Sequence, residues 1–516
     1  MNGAESLVRT LLASKVEVCF TNPGTSEMHF VAALDTVPGM RCVLGLFEGV
    51  VTGAADGYAR MADRPAATLL HLGPGLANGL ANLHNARKAR SPVVNIVGEH
   101  AIHHRGYETP LASDLEGIAR PVSHWFRMSA DARSVAGDAA EAVRQARSGA
   151  GKIATLALPA DTAWNEADGP AAPLEPPPRG KADPAAIAQA VAAIRSGKRV
   201  TLMMSGRALR EPCLGLAARI AAATGVRLLS QQSNARVERG AGRVVVPRVP
   251  YPVDQALAAL ADIDVLLLLG ANPPASFFAY PGKPSMMTPP GCETIRVAGP
   301  DDDLEHALRW LADELGATAA APLANDAICM TPAQPGRLTA EAVMQSVAAM
   351  LPEQAILCDE SVSSGRALFR YTDGSAPHDY LQLTGGAIGE GLPMATGAAI
   401  ACPDRKVVSL EGDGSGMYTL QALWTQARER LDVVTVVLAN RGYRILQGEL
   451  KGVGVENPGE RAKRMLAVED PDLDWVALAR GMGVEAAAAD TAEGFNDLLA
   501  AALRRKGPFL IEARLP

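Results

Sequence analysis

The sequence predicts an α/β protein of three domains, with two similar parallel-sheet domains at its ends and a middle α/β domain between them. Three observations carry that expectation. The chain has 516 residues, several times the roughly 150 residues of one domain. Lys406 to Leu446 reads as strand, glycine loop, helix and strand, a βαβ unit whose crossover lays the two strands parallel. Ala66 to Val97 repeats that order around Gly73-Pro74-Gly75.

Composition limits the function classes. Hydrophobic residues make up 48% of the chain and charged residues 20%, enough to bury large cores. A net charge of −7 carries no basic footprint for nucleic acid, so the expected partner is a small molecule. Met1 to Val18 lacks the long apolar core and cleavage site of a signal peptide, and no run reaches the ~18 apolar residues of a membrane span. The seven cysteines (Cys19, Cys42, Cys213, Cys292, Cys329, Cys358 and Cys402) are dispersed and without CxxC spacing, as expected of reduced thiols in a cytoplasmic protein.

The first domain is placed at 1–165. Helix Gly3 to Ser14 leads to strand Val16 to Thr21, then the turn Asn22-Pro23-Gly24-Thr25 opens a helix at Ser26 with Glu27 in its first turn. Strand Cys42 to Leu46 precedes Phe47-Glu48-Gly49 and a helix, Val50 to Met61, whose Gly and Ala permit close packing on a neighbour. Strand Ala66 to Leu72, the GPG loop, helix Leu76 to Ala89 and strand Val93 to Val97 follow. A polar loop holding His103 and His104 then leads to a last strand near Ala154 to Leu158.

Asn165 to Pro184, rich in Pro and Ala, reads as a linker, and Ala317 to Gln334 as a second one. The middle domain between them is placed at 184–316, with helices Ala185 to Ser196 and Cys213 to Thr224 and strands Arg199 to Met204, Leu228 to Leu229 and Val265 to Leu269. The third domain is placed at 336–516. It carries the loop Gly385-Gly386-Ala387-Ile388-Gly389, the βαβ unit, a charged lid-like segment from Tyr443 to Glu469, and a final helix and strand.

Within the βαβ unit the chemistry concentrates at the carboxyl ends of the two strands, where open α/β sheets bind ligands. Gly412-Asp413-Gly414-Ser415 and Asn440 emerge there together, so Asp413 and Asn440 can meet. One carboxylate, one amide and a glycine turn ahead of a helix suit Mg²⁺ shared with a diphosphate.

GDGS followed 27 residues later (440 minus 413) by Asn resembles the diphosphate motif of thiamine diphosphate (ThDP) enzymes. That resemblance implies Mg²⁺ held by Asp413, Asn440 and the carbonyl of Gly442, with Gly412, Gly414, Ser415 and Tyr443 around the cofactor. The family's paired asparagines are Ala439-Asn440 here, and the ligand is the second of the two. LGLFEGVVTGAADGYAR resembles the setting of the family's cofactor-activating glutamate, which implies that Glu48 binds the aminopyrimidine and promotes loss of the thiazolium C2 proton. GGAIG resembles the loop under the cofactor rings, with Ile388 as the prop that bends the cofactor and the Gly386 carbonyl as acceptor for the pyrimidine amine.

Over nearly the whole chain the resemblance is to the acetolactate synthase and benzoylformate decarboxylase branch. His71 in LLHLGPG, Thr25 in NPGTSE, and His103-His104 resemble substrate-side residues of decarboxylases in this family, and the three histidines are candidate proton donors. No RFDDR-like stretch follows Gly270, so FAD is not expected. The implied function is ThDP- and Mg²⁺-dependent cleavage of a 2-oxo acid, with or without carboligation, in a homodimer or dimer of dimers whose sites lie between subunits. Alternatives within the family are an aromatic 2-oxo acid decarboxylase and a 2-hydroxyacyl-CoA lyase. Outside it stand a ThDP-binding protein without turnover and a nucleotide-dependent oxidoreductase, for which no GxGxxG is suitably placed.

Overall fold

A computed structural model describes residues 1–322, 324 and 330–516. Cys329 and part of the second linker lie outside the described residues. The first sheet holds β1 (Val18–Asn22), β2 (Arg41–Leu44), β3 (Ala66–Leu70), β4 (Val93–Glu99), β5 (Trp125–Met128) and β6 (Ile153–Pro159), in the order β2-β1-β3-β4-β6-β5. All its pairings are parallel. The middle stretch supplies β7 (Val200–Met204), β8 (Arg227–Ser230), β9 (Arg236–Arg239), β10 (Val265–Leu269) and β11 (Glu293–Ala298). Four of these form a parallel sheet ordered β11-β10-β7-β8.

β9 leaves that sheet. It pairs antiparallel with β13 (His378–Gln382), at the edge of a third sheet completed by β12 (Ile356–Glu360), β14 (Val407–Gly412), β15 (Val433–Ala439), β16 (Glu485–Ala489) and β17 (Phe509–Arg514). The order there is β16-β17-β15-β14-β12-β13-β9. The expected βαβ unit is present as the parallel neighbours β14 and β15. Its connection is a single turn, Asp413–Gly416, and then the helix Ala422–Arg428, in place of a glycine loop and one helix. Gly73-Pro74-Gly75 differs from expectation as well. It is no loop but the first turn of the helix Leu72–Ala89, made possible by Leu72 taking a left-handed φ of 48° as the chain leaves β3.

The Gly- and Ala-rich segment expected to pack closely does so on the third domain of its own chain. Helix Glu48–Ala62 lies against helix Gly391–Ala401 with backbone touching backbone. A Cβ on Gly397 would stand 1.9 Å from the Ala54 carbonyl oxygen, and one on Gly57 2.1 Å from that of Met394. Val51, Ala55 and Tyr58 then share one buried cluster with Ile356, Met394 and Val433. At one end of the contact Arg60, wholly buried, pairs with Asp56 and Glu390 and donates to the Gln382 carbonyl at 2.6 Å. Among the described residues no helix is long and apolar enough to cross a membrane.

Gly397→Ala should therefore destabilise the protein by about 1 to 3 kcal/mol, the usual cost of overpacking, read as a lower urea midpoint. Gly137→Ala, on a helix face with nothing within 4 Å, is the matched control and should be neutral or slightly stabilising. Equal midpoints for Gly397→Ala and wild type would show that the two helices part without cost.

Candidate active site

Parallel β14 and β15 set Gly412 level with Leu438, so the residues just beyond each strand face one another. Asp413 is buried. Its Oδ2 accepts the backbone N–H of Arg441 at 2.6 Å and its Oδ1 that of Gly414 at 2.9 Å. Arg441 holds a left-handed φ of 55°, which aims its N–H at the carboxylate. Asn440 Oδ1 accepts the Gly442 N–H at 3.0 Å, while its amide donates to Ser364 Oγ at 2.9 Å. Ser415 Oγ closes the turn on the Gly412 carbonyl, and Gly414 lies under the Tyr443 ring, where a Cβ would be 2.6 Å from the ring edge.

Burial pushes the Asp413 carboxyl up, against backbone N–H groups that favour its charged form. A cation here would relieve that desolvation. One carboxylate and one amide oxygen at neighbouring strand ends are of the chemistry that suits Mg²⁺. Among the described residues no group of three or more His, Cys, Asp or Glu side chains forms a metal cage, here or elsewhere.

Beside this turn lies a cavity of about 500 Å³ walled by Gly386, Ile388, Tyr418 and Tyr443 of the third domain and by Tyr251, Phe277 and Phe278 of the middle stretch. Gly386, at φ 80°, has the Phe277 ring so near that a Cβ would come within 2.8 Å of it. Ile388 is half-buried in the same wall. No first-domain residue is among those lining the cavity.

The first-domain candidates gather elsewhere. Glu48 opens its helix, 9% exposed, and its Oε2 accepts from the Asn78 amide at 3.0 Å. A Cβ on Gly75 would lie 3.3 Å from both Glu48 Oε1 and His71 Cβ, so Glu48 and His71 flank one glycine. His71 Nδ1 meets Glu27 Oε2 at 2.9 Å, and that buried carboxylate also takes the Gly24 N–H and the Ser26 hydroxyl. Thr25, exposed, begins the one-turn helix that carries Glu27. His103 and His104 sit on an exposed turn after β4. His103 pairs with Asp161 at 3.7 Å, and the His104 ring packs on His100 and Tyr107. Among the described residues no hydrogen bond or ion pair joins either of them to His71.

Several residues of this region escape sequence reasoning. Glu360, at the end of β12, lines the cavity and accepts the Gly389 N–H at 2.6 Å and the Gly391 N–H, so it fixes the loop that carries Ile388. Glu411 faces Glu360 across the strand pair, and burial followed by the Glu360 charge pushes its carboxyl well up. Asn78, Asn82 and Asn85 share one face of a helix rich in Gly, Ala and Leu. Their spacing is the one signal that could have exposed them.

Comparison with known proteins identifies the family. Residues 1–125 match the family described as thiamine pyrophosphate enzyme, N-terminal TPP binding domain, and residues 362–513 match its C-terminal TPP binding domain. The chain belongs to the thiamine pyrophosphate enzyme family. It is 50% identical to the "Putative acetolactate synthase large subunit IlvX" of Mycobacterium tuberculosis, over 100% of this chain and 99% of that protein. It is 30% identical to the benzoylformate decarboxylase of Pseudomonas aeruginosa, over 96% and 95%. The ThDP-dependent 4-hydroxybenzoylformate decarboxylase of Rhodococcus jostii RHA1 superposes with a TM-score of 0.87 at 26% identity, covering 100% of this chain and 99% of the other.

Glu360 gives this site a pH signature. Burial pushes its pKa up to about 7 despite the backbone donors at Gly391 and Gly389. An unfolded Glu titrates near ~4.3. Between those values the folded chain keeps a proton that the unfolded chain releases, so this contribution to stability is full below ~4.3 and is lost as pH rises through 7. Urea midpoints measured from pH 4.5 to 7.5 should therefore fall less with pH in Glu360→Gln than in wild type, whatever constant offset the lost acceptor adds. Parallel curves would remove Glu360 as the titrating group.

Proposed function

We propose that the protein is a ThDP- and Mg²⁺-dependent enzyme that decarboxylates a 2-oxo acid, with release of the aldehyde or its ligation to a second carbonyl as the two fates. The convergence of Asp413, Asn440 and the Arg441-Gly442 turn at the ends of β14 and β15 carries the reading. Asp413, Asn440 and the Gly442 carbonyl hold Mg²⁺. Gly412, Gly414, Ser415 and Tyr443 surround the diphosphate. ThDP, when bound, supplies a nucleophilic carbon and an electron sink for the departing CO₂.

The chain's own groups orient and move protons. Ile388 props the cofactor rings and Gly386 accepts from the pyrimidine amine, both on a loop braced by Glu360. Glu48 exchanges a proton with the pyrimidine. Thr25 and His71 face the substrate, with the Glu27 carboxylate fixing which His71 nitrogen carries the proton. His103 and His104 lie on an exposed turn that can approach from the rim.

The cofactor cavity lacks any first-domain wall within the chain, which supports a site completed by the first domain of a second subunit. On this reading each site of a two-fold dimer takes Glu48 from one chain and Asp413 from the other. The aromatic rim, with Phe277 4.9 Å from Phe278 and 5.4 Å from Tyr251, favours an aryl 2-oxo acid over pyruvate.

Calorimetry should show ThDP binding that requires Mg²⁺ and disappears in Asp413→Ala. Binding unaffected by a chelator would refute the metal assignment. Glu48→Gln should retain the cofactor but slow hydrogen exchange at its reacting carbon by about 10² to 10⁴. Mixing Glu48→Gln with Asp413→Ala chains should restore roughly a quarter of wild-type activity, since half the reassorted dimers carry one intact site of two. No recovery after verified exchange would place both residues in one chain's site. ThDP-dependent CO₂ release from a panel of 2-oxo acids tests the substrate class, and preference for pyruvate would exclude the aryl reading.

A further inference from the structure

Asn82 sits midway along helix Leu72–Ala89, 2% exposed, with its amide pointing at two separate parts of the proposed machinery. Its Nδ2 donates to the Gly49 carbonyl at 2.8 Å and to the Gly389 carbonyl at 3.1 Å. Gly49 follows Glu48 in the chain, and Gly389 follows Ile388. One buried amide thus spans the turn that presents the carboxylate and the loop that presents the ring prop.

Its neighbours on the same helix face extend the link in both directions. Toward the loop, Asn85 donates to Asn82 Oδ1 at 3.0 Å and to the Ala387 carbonyl at 2.8 Å, and accepts the Ala387 N–H at 3.2 Å. Toward the carboxylate, Asn78 donates to Glu48 itself at 3.0 Å. The space around Asn82 is filled: a Cβ on Gly53 would lie 2.9 Å from its Nδ2. Every one of these bonds lies within a single chain.

We propose that Asn82 is a positioning residue that ties the Glu48 turn to the Ile388 loop of the same chain, and that in a dimer one chain's Asn82 therefore serves both active sites. The second half rests on the interfacial reading given above. There the Ile388 loop of a chain belongs to one site and its Glu48 to the other, so a bond between them inside one chain connects the two sites. Glu48 and Asp413 each belong to one site only, whereas Asn82 sets the geometry of two.

Asn82→Asp tests the tie with little change of volume. It keeps an oxygen for Asn85 and removes both donations, leaving two buried carbonyls facing a carboxyl group. Hydrogen exchange in the cofactor-free protein should accelerate at least tenfold in residues 49–52 and 387–391 together, with distant strands such as β1 unchanged. Acceleration in one segment alone, or in neither, would overturn the tie. If Asn82→Asp fails to fold, Asn85→Ala serves as the second variant. It removes the brace next to Asn82 and should accelerate exchange in 387–391 while leaving 49–52 within twofold, since Asn82 still holds the latter. Equal acceleration of both segments would again refute the assignment.

Doubly tagged hybrids test the reach. A hybrid of wild type with Glu48→Gln should keep about half of wild-type activity, because one site stays intact. A hybrid of wild type with Asn82→Asp should fall below a quarter, because both sites are displaced. Half activity in that hybrid would confine Asn82 to one site. Failure of Glu48→Gln and Asp413→Ala chains to complement would instead remove the interfacial reading, leaving the exchange measurement to judge the tie on its own.

Discussion

The contact on which the rest depends is the one between helices Glu48–Ala62 and Gly391–Ala401, where glycines let two backbones touch. Side chains at Gly53, Gly57 or Gly397 would clash with the facing helix and force the two apart. Because these helices also open at Glu48 and directly after the Gly385–Gly389 loop, their separation sets the placement of two groups that the proposed chemistry uses. The buried Arg60 with its two carboxylates fixes the register of the pair, and breaking such an ion pair costs far more than its presence contributes.

Carboxyl groups in this protein are buried to an unusual degree around the Ile388 loop. Glu360, which bonds the loop from β12, Glu390, which follows it, and Glu411, two residues before Asp413, are all buried. Only some are satisfied. Glu360 has two backbone donors, whereas Glu390 and Glu411 each retain an oxygen with no partner. The outcome is a region where negative charge is costly and the carboxyl groups are pushed toward their protonated form.

What the sequence disclosed and what it concealed divide by range. GDGS and Asn440 were legible because strand, turn and strand are contiguous and period alone sets their geometry. Glu48 is a candidate through the resemblance of its glycine-rich setting to a family motif. Asn82 was not, since its meaning comes from Gly389, 307 residues away. Glu360 was hidden for the same reason. β9 is not legible because RVER offers a single apolar residue among three charged ones, with no period to separate it from a loop, and its partner strand lies far along the chain. The GPG segment was misread because glycine and proline ordinarily mark loops, while here the break falls one residue earlier, at a leucine.

The excursion of β9 bears on how such proteins diversify. Recombination between relatives is usually pictured as the exchange of whole domains at their linkers. In this chain a segment cut at the two linkers would carry away the edge strand of a sheet it does not otherwise belong to, together with Arg236, whose guanidinium grips Asp379 on the strand it abandons. The third sheet left behind would have β13 uncovered, an invitation to pair with another molecule. Inheritance of the middle stretch is thereby bound to inheritance of the cofactor-binding sheet, and a graft that ignores the four residues from Arg236 to Arg239 trades a foreign pocket for a sticky edge.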